Sequence, residues 1–77
     1  MVTRGKRRTQ EERSAATKRH ILDTAFDCLD SLGYARTTTV EVCSRGGISR
    51  GAMLHHYPTK EHLVIATVQH VFDKRID

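Results

Sequence analysis

The 77-residue chain has no tryptophan, only two phenylalanines and two tyrosines, a single proline and two cysteines. So short a chain with so few large rings supports one small domain around a thin core. An enzyme enclosing its own active-site cavity does not fit that size. No apolar run approaches the ~20 residues needed to cross a bilayer. The basic N-terminus leads into no apolar stretch of the kind a secretory signal carries. Two cysteines cannot make a dense disulfide framework, so a reduced, cytoplasmic setting is expected. Neither Cys28 nor Cys43 belongs to a C-x-x-C pair, and both fall where a small core residue is wanted; no metal site is expected. Histidine, cysteine and aspartate are present, but nothing orders them as nucleophile, base and orienting group. Neither an enzyme nor a cofactor is expected.

Acidic residues are absent from one stretch and reduced to one in another, and that is where the net charge of +4 resides. Arg4, Lys6, Arg7 and Arg8 open the chain with no acid among them. In the middle, Arg36, Arg45, Arg50 and Lys60 face Glu41 alone. The stretch between is acidic on balance. Two basic clusters, one a terminal arm of almost no apolar content, fit a polyanionic partner. They also fit a solvated tail on an ordinary surface.

Apolar periodicity supplies the elements. Thr9 and Glu12 have the spacing of a capping box, in which each side chain bonds the other's backbone N–H. Ile21, Leu22, Ala25, Phe26, Cys28, Leu29 and Leu32 then recur at three- and four-residue intervals, one apolar stripe on a helix that Gly33 ends. Thr38 and Glu41 repeat the capping-box spacing, so a second helix is expected from about Thr39 to Arg45, broken by Gly46-Gly47. Ser49 caps a short third helix running from Arg50 to about His56. Pro58 disfavours helical geometry at Tyr57 and stops it. Thr59 caps a fourth helix from Lys60 onward, carrying Leu63, Val64, Ala66, Val68, Val71 and Phe72. No segment alternates as a strand does, and there is no internal repeat. The expected fold is all-α: a three-helix bundle plus the start of a fourth, connecting helix.

The second and third helices have helix-turn-helix spacing. Cys43 is the small residue where the two helices approach, Gly47 can take positive φ in the turn, Ile48 is the apolar plug, and Val42 and Met53 anchor the helices. The third helix is then the one presented to a DNA major groove. Arg50 can bind guanine or a phosphate. Gly51 costs ~1 kcal/mol in a helix relative to alanine, which makes sense where a side chain would strike bases or sugars. Ala52 continues this close-approach stretch, and Leu54, His55 and His56 follow on the later turn. Ser49 and Thr39, beside Thr38, lie at helix starts that suit phosphate contacts, and Lys60 opens the fourth helix in the same way. Lys6, Arg7 and Arg8 of the arm would engage phosphates or a minor groove.

Gly33-Tyr34, the Thr37-Thr38-Thr39 cluster, Gly47-Ile48-Ser49-Arg50-Gly51 and His55-His56-Tyr57-Pro58-Thr59-Lys60-Glu61, preceded by the Ile21-Leu22…Ala25…Leu29 pattern, resemble the DNA-binding domain of tetracycline-repressor (TetR) type transcriptional regulators over roughly residues 18–64. The resemblance implies a three-helix DNA-binding bundle whose fourth helix leads to a ligand-binding and dimerisation domain. It implies phosphate contacts from Thr39, His56 and Lys60, and base or backbone contacts from Arg50, Gly51, Ala52, Leu54 and His55. Many members carry an aromatic residue at the position of Leu54; a leucine there offers apolar contact with a thymine methyl. The expected organisation is a flexible basic arm (1–8), a helix-turn-helix bundle (9–58) and a connecting helix (59–77) toward a domain absent from this chain. On this reading the full-length protein is a homodimeric repressor on double-stranded DNA, at a palindromic operator, released by a small-molecule effector, and the 77-residue stretch alone is monomeric.

The competing class is a small protein-interaction module with the arm as a solvated tail. A membrane-surface role fits poorly, because the polar face of the first helix is acidic. Salt separates the two main readings: phosphate contacts weaken steeply as salt rises, and contacts through apolar helix faces do not. The fourth helix is also expected to carry more apolar residues than this core covers: Ile65, Val68, Val71, Phe72 and Ile76 spread around more than one face.

Overall fold

A computed structural model describes residues 10–76 of the chain, with side chains described from 12 to 73. Four helices follow one another: α1 (Gln10–Leu32), α2 (Thr39–Gly46), α3 (Arg50–His56) and α4 (Lys60–Ile76). No strand occurs among the described residues. The basic arm with Arg4, Lys6, Arg7 and Arg8, the Thr9 cap and the side chain of Ile76 lie outside the described residues.

Helix α1 is the centre of the bundle and packs against α2, α3 and α4, while α2 also packs on α3. It contributes Ile21, Leu22, Ala25 and Cys28 to the core, where they meet Val42 of α2, Met53 of α3, Tyr57 and Leu63 of α4. Burying side chains such as Ile21, Met53 and Leu63 stabilises the fold by about 1.5–3 kcal/mol each. Cys28 is a core residue, and burial pushes its thiol pKa up.

The stripe on α1 is narrower than the sequence pattern implies. Phe26 is 43% exposed because it lies one residue, about 100° of helix rotation, beyond Ala25. Leu29 and Leu32 are only half-buried. Thr24 takes a place beside the core instead. Its hydroxyl donates to the His20 carbonyl at 2.8 Å, as Thr37 does to Gly33 and Thr67 to Leu63 at 2.8 and 2.7 Å. Each threonine thus meets its own hydrogen-bonding need from the residue four before it and presents a methyl to the core.

The turns follow local chemistry. Gly33 (φ 85°) closes α1, its N–H donating to the Leu29 carbonyl at 3.0 Å. Gly47 (φ 63°, ψ 36°) ends α2 in the left-handed region, and the Ile48 N–H returns to the Cys43 carbonyl. Gly46 is needed for a different reason. A Cβ there would stand 2.7 Å from Ile48 Cδ1 and 3.0 Å from Thr24 Oγ1, so the end of α2 lies close against α1 and a larger residue would make these side chains shift. His20 reinforces this approach, its Nε2–H donating to the Gly46 carbonyl at 2.7 Å. Before Pro58, Tyr57 leaves helical geometry (φ −138°, ψ 88°) and turns its ring into the core. Thr59 caps α4 by accepting from the His62 N–H at 3.2 Å.

On α4, Leu63 is buried and Val64, Ala66 and Val71 are half-buried, whereas Ile65, Val68 and Phe72 are 57%, 45% and 59% exposed. A pair between His70 Nε2 and Asp23 Oδ1 (2.9 Å) ties the later part of α4 to α1.

Candidate nucleic-acid interface

Helices α2 and α3 are aimed by their caps. Thr38 is extended (φ −102°, ψ 164°) and its hydroxyl accepts from the Glu41 N–H at 3.0 Å. The reciprocal half of the expected capping box does not form. Thr38 N–H donates to the Arg36 carbonyl, and the Glu41 carboxylate pairs with Arg45 Nε at 3.3 Å. An arginine one turn on competes for that carboxylate as an i,i+4 partner. Ser49 caps α3, its Oγ accepting from the Ala52 N–H at 3.1 Å. The hydroxyls of Thr38 and Ser49 therefore each accept a backbone N–H.

With Met53 buried as the anchor, α3 turns Arg50, Gly51, Leu54 and His55 outward, while Ala52 and His56 are half-buried. Nothing lies within 4 Å of where a Cβ on Gly51 would be. The protein's own packing therefore gives no reason for glycine at this helical position. Thr39 is half-buried and Val40 is 61% exposed at the start of α2. Thr39, Val40 and Cys43 line a shallow dimple with Arg50, Met53 and Leu54 of α3, so Cys43 sits at the α2–α3 approach, as its size implies.

Lys60 opens α4 and reaches back over the α1–α2 turn. Its Nζ donates to the Tyr34 carbonyl at 2.6 Å and stands 3.9 Å from the centroid of the Tyr34 ring. The Gly33-Tyr34 turn and the start of α4 are thereby joined, with the cation at their junction.

A second group of cations was not visible in the sequence. Arg13, Ser14 and Thr17 of α1 form an open cleft with Ala52, His55 and His56 of α3. The His55 and His56 rings meet edge-on, 4.9 Å between centroids. Partial burial, reinforced by the charges of His55 and Lys18, holds the His56 pKa below its usual 6.5. Among the described residues, no ion pair involves Arg13, Lys18 or His55. In the sequence Arg13 and Lys18 are only two charges in a stretch that is acidic on balance. Only the crossing of α3 over α1 brings them beside His56, and no local spacing encodes that crossing. The same holds for His20 at the end of α2.

Among the described residues, no three histidine, cysteine, aspartate or glutamate side chains converge on a point where a metal ion could sit. No helix there is long and apolar enough to cross a membrane.

Comparison with known proteins agrees with this geometry. Residues 21–67 match the model of the bacterial regulatory proteins of the tetR family. The chain is 39% identical over 69 residues to the HTH-type transcriptional regulator CymR of Pseudomonas putida, an alignment covering 90% of this chain and 34% of that protein. It is 31% identical over 75 residues to the HTH-type transcriptional regulator RutR of Escherichia coli, covering 94% and 35%. An uncharacterised HTH-type transcriptional regulator of Mycobacterium tuberculosis is 30% identical over 70 residues, covering 91% and 36%. The chain thus spans about a third of the length of the curated relatives it matches. No solved structure matches it at comparable significance. A matched region that takes in α2, the glycine turn, α3 and the start of α4 is the region built above as a cap-aimed helix pair with an exposed basic face: the chain belongs to the TetR family of transcriptional regulators, a family of DNA-binding proteins rather than enzymes, and carries its helix-turn-helix DNA-binding domain.

Proposed function

We propose that this chain binds double-stranded DNA sequence-specifically, with α3 in the major groove. The observation that carries the reading is Gly51. It is helical, outward-facing and unobstructed by the protein, so its missing side chain serves a close approach from outside. Around it stand Arg50, Ala52, Leu54 and His55 as base or backbone contacts. Thr38, Thr39, Ser49, His56 and Lys60 form the rim that meets phosphates, and Lys6, Arg7 and Arg8 of the arm extend it. Arg13 and Lys18 belong to the same rim on the α1 side.

In the full-length protein, the 59–77 segment, with its helix α4, leads into a further domain. The exposed Ile65, Val68 and Phe72 support this, because three apolar side chains spaced three and four residues apart along one helix favour a covering partner. That domain forms a homodimer, places two copies of α3 on a palindromic operator, and binds a small effector that releases the repressor. The protein works inside the cell, where its DNA is. Without that domain the 77 residues are monomeric and bind a half-site weakly.

The test is selection from a randomised duplex pool by mobility shift, repeated across salt concentrations. One recurring motif, with affinity falling steeply as salt rises, supports the reading. Salt-independent association, or retention of all duplexes alike, overturns it in favour of a protein-interaction module. Sedimentation of the chain without DNA tests the placement of the dimer contact: a stable dimer puts it within these residues.

A further inference from the structure

Between the start of α2 and the face of α3 lies a dimple of about 40 Å³, lined by Thr39, Val40, Cys43, Arg50, Met53 and Leu54. Its rim is aliphatic. Val40 is 61% and Leu54 55% exposed, two aliphatic side chains on different helices facing one opening. The floor is the Cys43 side chain and buried Met53. One cation, Arg50, stands beside them. The hollow is shallow and open, and the aliphatic pair on its rim suits a methyl-sized apolar knob. Its lining has little to offer a polar ligand apart from Thr39 and the guanidinium.

The charge at the rim calls for an electronegative neighbour, and the hollow calls for an apolar knob attached to it. In the major groove only thymine among the four bases carries such a knob, its C5-methyl, and guanine presents the N7 and O6 acceptors that suit an arginine fork. We infer that Val40 and Leu54 form a receptor for the C5-methyl group of a thymine lying next to the guanine bound by Arg50, so that each operator half-site contains an adjacent thymine and guanine. The inference rests on the DNA-binding reading above and adds what that reading leaves open: Val40 as a specificity residue and the identity of a base step.

A single-group perturbation tests it. In a duplex selected by the full chain, each thymine is replaced singly by uracil, which removes the methyl and keeps every hydrogen-bonding group. Burial of one methyl is worth about 0.8 kcal/mol, so one uracil, beside a guanine in each half-site, is expected to weaken binding about fourfold. Cytosine methylated at C5, placed opposite guanine at that position, should recover part of the loss relative to plain cytosine. The Val40→Ala, Leu54→Ala double variant should bind thymine and uracil duplexes equally. Both side chains are more than half exposed, so its folding, checked by circular dichroism, should be unchanged. Equal affinity of the unaltered chain for all uracil-substituted duplexes overturns the inference while leaving DNA binding intact. So does a fourfold loss that persists in the double variant. Failure to bind any duplex overturns the underlying reading and this inference with it.

Discussion

The ammonium of Lys60 donates to the Tyr34 carbonyl at 2.6 Å and lies 3.9 Å from the centroid of the same residue's ring. One cation thus clamps the turn after α1 to the first residue of α4, across 26 positions of sequence. The clamp holds the ammonium at a fixed point instead of leaving it on a free four-carbon stem. Tyr34 is 54% exposed, so the ring contact is worth only about 0.5–1 kcal/mol.

Tyr34→Ala removes the ring and keeps the carbonyl. It is expected to lower unfolding stability by no more than about 1 kcal/mol and to weaken DNA binding, because the cation is less well held. Lys60→Met keeps the stem and removes the charge. It should weaken DNA binding more than Tyr34→Ala at similar stability. Urea unfolding and mobility shift on both variants check this. If Tyr34→Ala matches the unaltered chain in both measurements, the clamp has no part in binding.

Two helical glycines should respond oppositely to the same substitution. At Gly46 a methyl meets the tip of the Ile48 side chain at 2.7 Å and the Thr24 hydroxyl at 3.0 Å, and that hydroxyl is held by its bond to the His20 carbonyl. Gly46→Ala is expected to destabilise by about 1–3 kcal/mol, the usual cost of overpacking. At Gly51 a methyl meets nothing. Gly51→Ala should stabilise the helix by several tenths of a kcal/mol or more and still weaken DNA binding. Thermal melts paired with binding curves separate the two. A Gly51→Ala chain that is less stable and binds normally contradicts the role given to that position.

The contrast between these glycines also marks how far the sequence alone reaches. Capping residues, glycine stops and Pro58 act within a few residues of themselves, and they located all four helices to within about a residue. Thr38 and Ser49 cap where their spacing implied, and Cys43, Val42 and Met53 take their expected places. Relations across helices were not legible. Phe26 sits on a boundary of the α1 stripe that only the position of α4 and its neighbours can draw. Tyr57 and the buried threonines look polar in sequence, and the partners that permit their burial are seen only in three dimensions. The Arg13–Lys18–His56 grouping depends on how α3 crosses α1. The close approach at Gly46 depends on Thr24, 22 positions earlier, and the sequence showed that glycine only as a helix breaker.

The cations of the rim should register in the salt dependence of binding. Each phosphate contact contributes about 0.9 to the slope of log affinity against log salt. Arg13→Ala and Lys18→Ala are expected to flatten that slope by up to this amount each, with all duplex sequences weakened alike. Arg50→Ala should instead cost about 1–3 kcal/mol on the selected motif and relax the preference at one position. Removing residues 1–8 should leave the melting temperature nearly unchanged and flatten the slope by up to the same increment for each phosphate that the arm had neutralised. Equal slopes with and without the arm would make it a solvated tail, and unchanged slopes for Arg13→Ala and Lys18→Ala would remove α1 from the interface.

Acidity should act on stability and on binding in opposite directions through His56. Partial burial comes first and the neighbouring His55 and Lys18 second in holding its pKa below 6.5. In the unfolded chain the imidazole titrates near 6.5, so between that value and the lower folded pKa the unfolded state binds more protons. Stability from this group is therefore fully present above about pH 6.5 and is lost as pH falls through the folded pKa. A phosphate beside His56 reverses the local balance, because an anion favours the protonated imidazole. DNA binding should then take up a proton and strengthen as pH falls. Measured between about pH 5.5 and 7.5, a range that spans the ordinary histidine pKa, His56→Gln should show a melting temperature less sensitive to acid than the unaltered chain. Its DNA affinity should also gain less on acidification. Retention of the full acid-strengthened binding in His56→Gln would place the proton uptake on another group and take His56 off the phosphate rim.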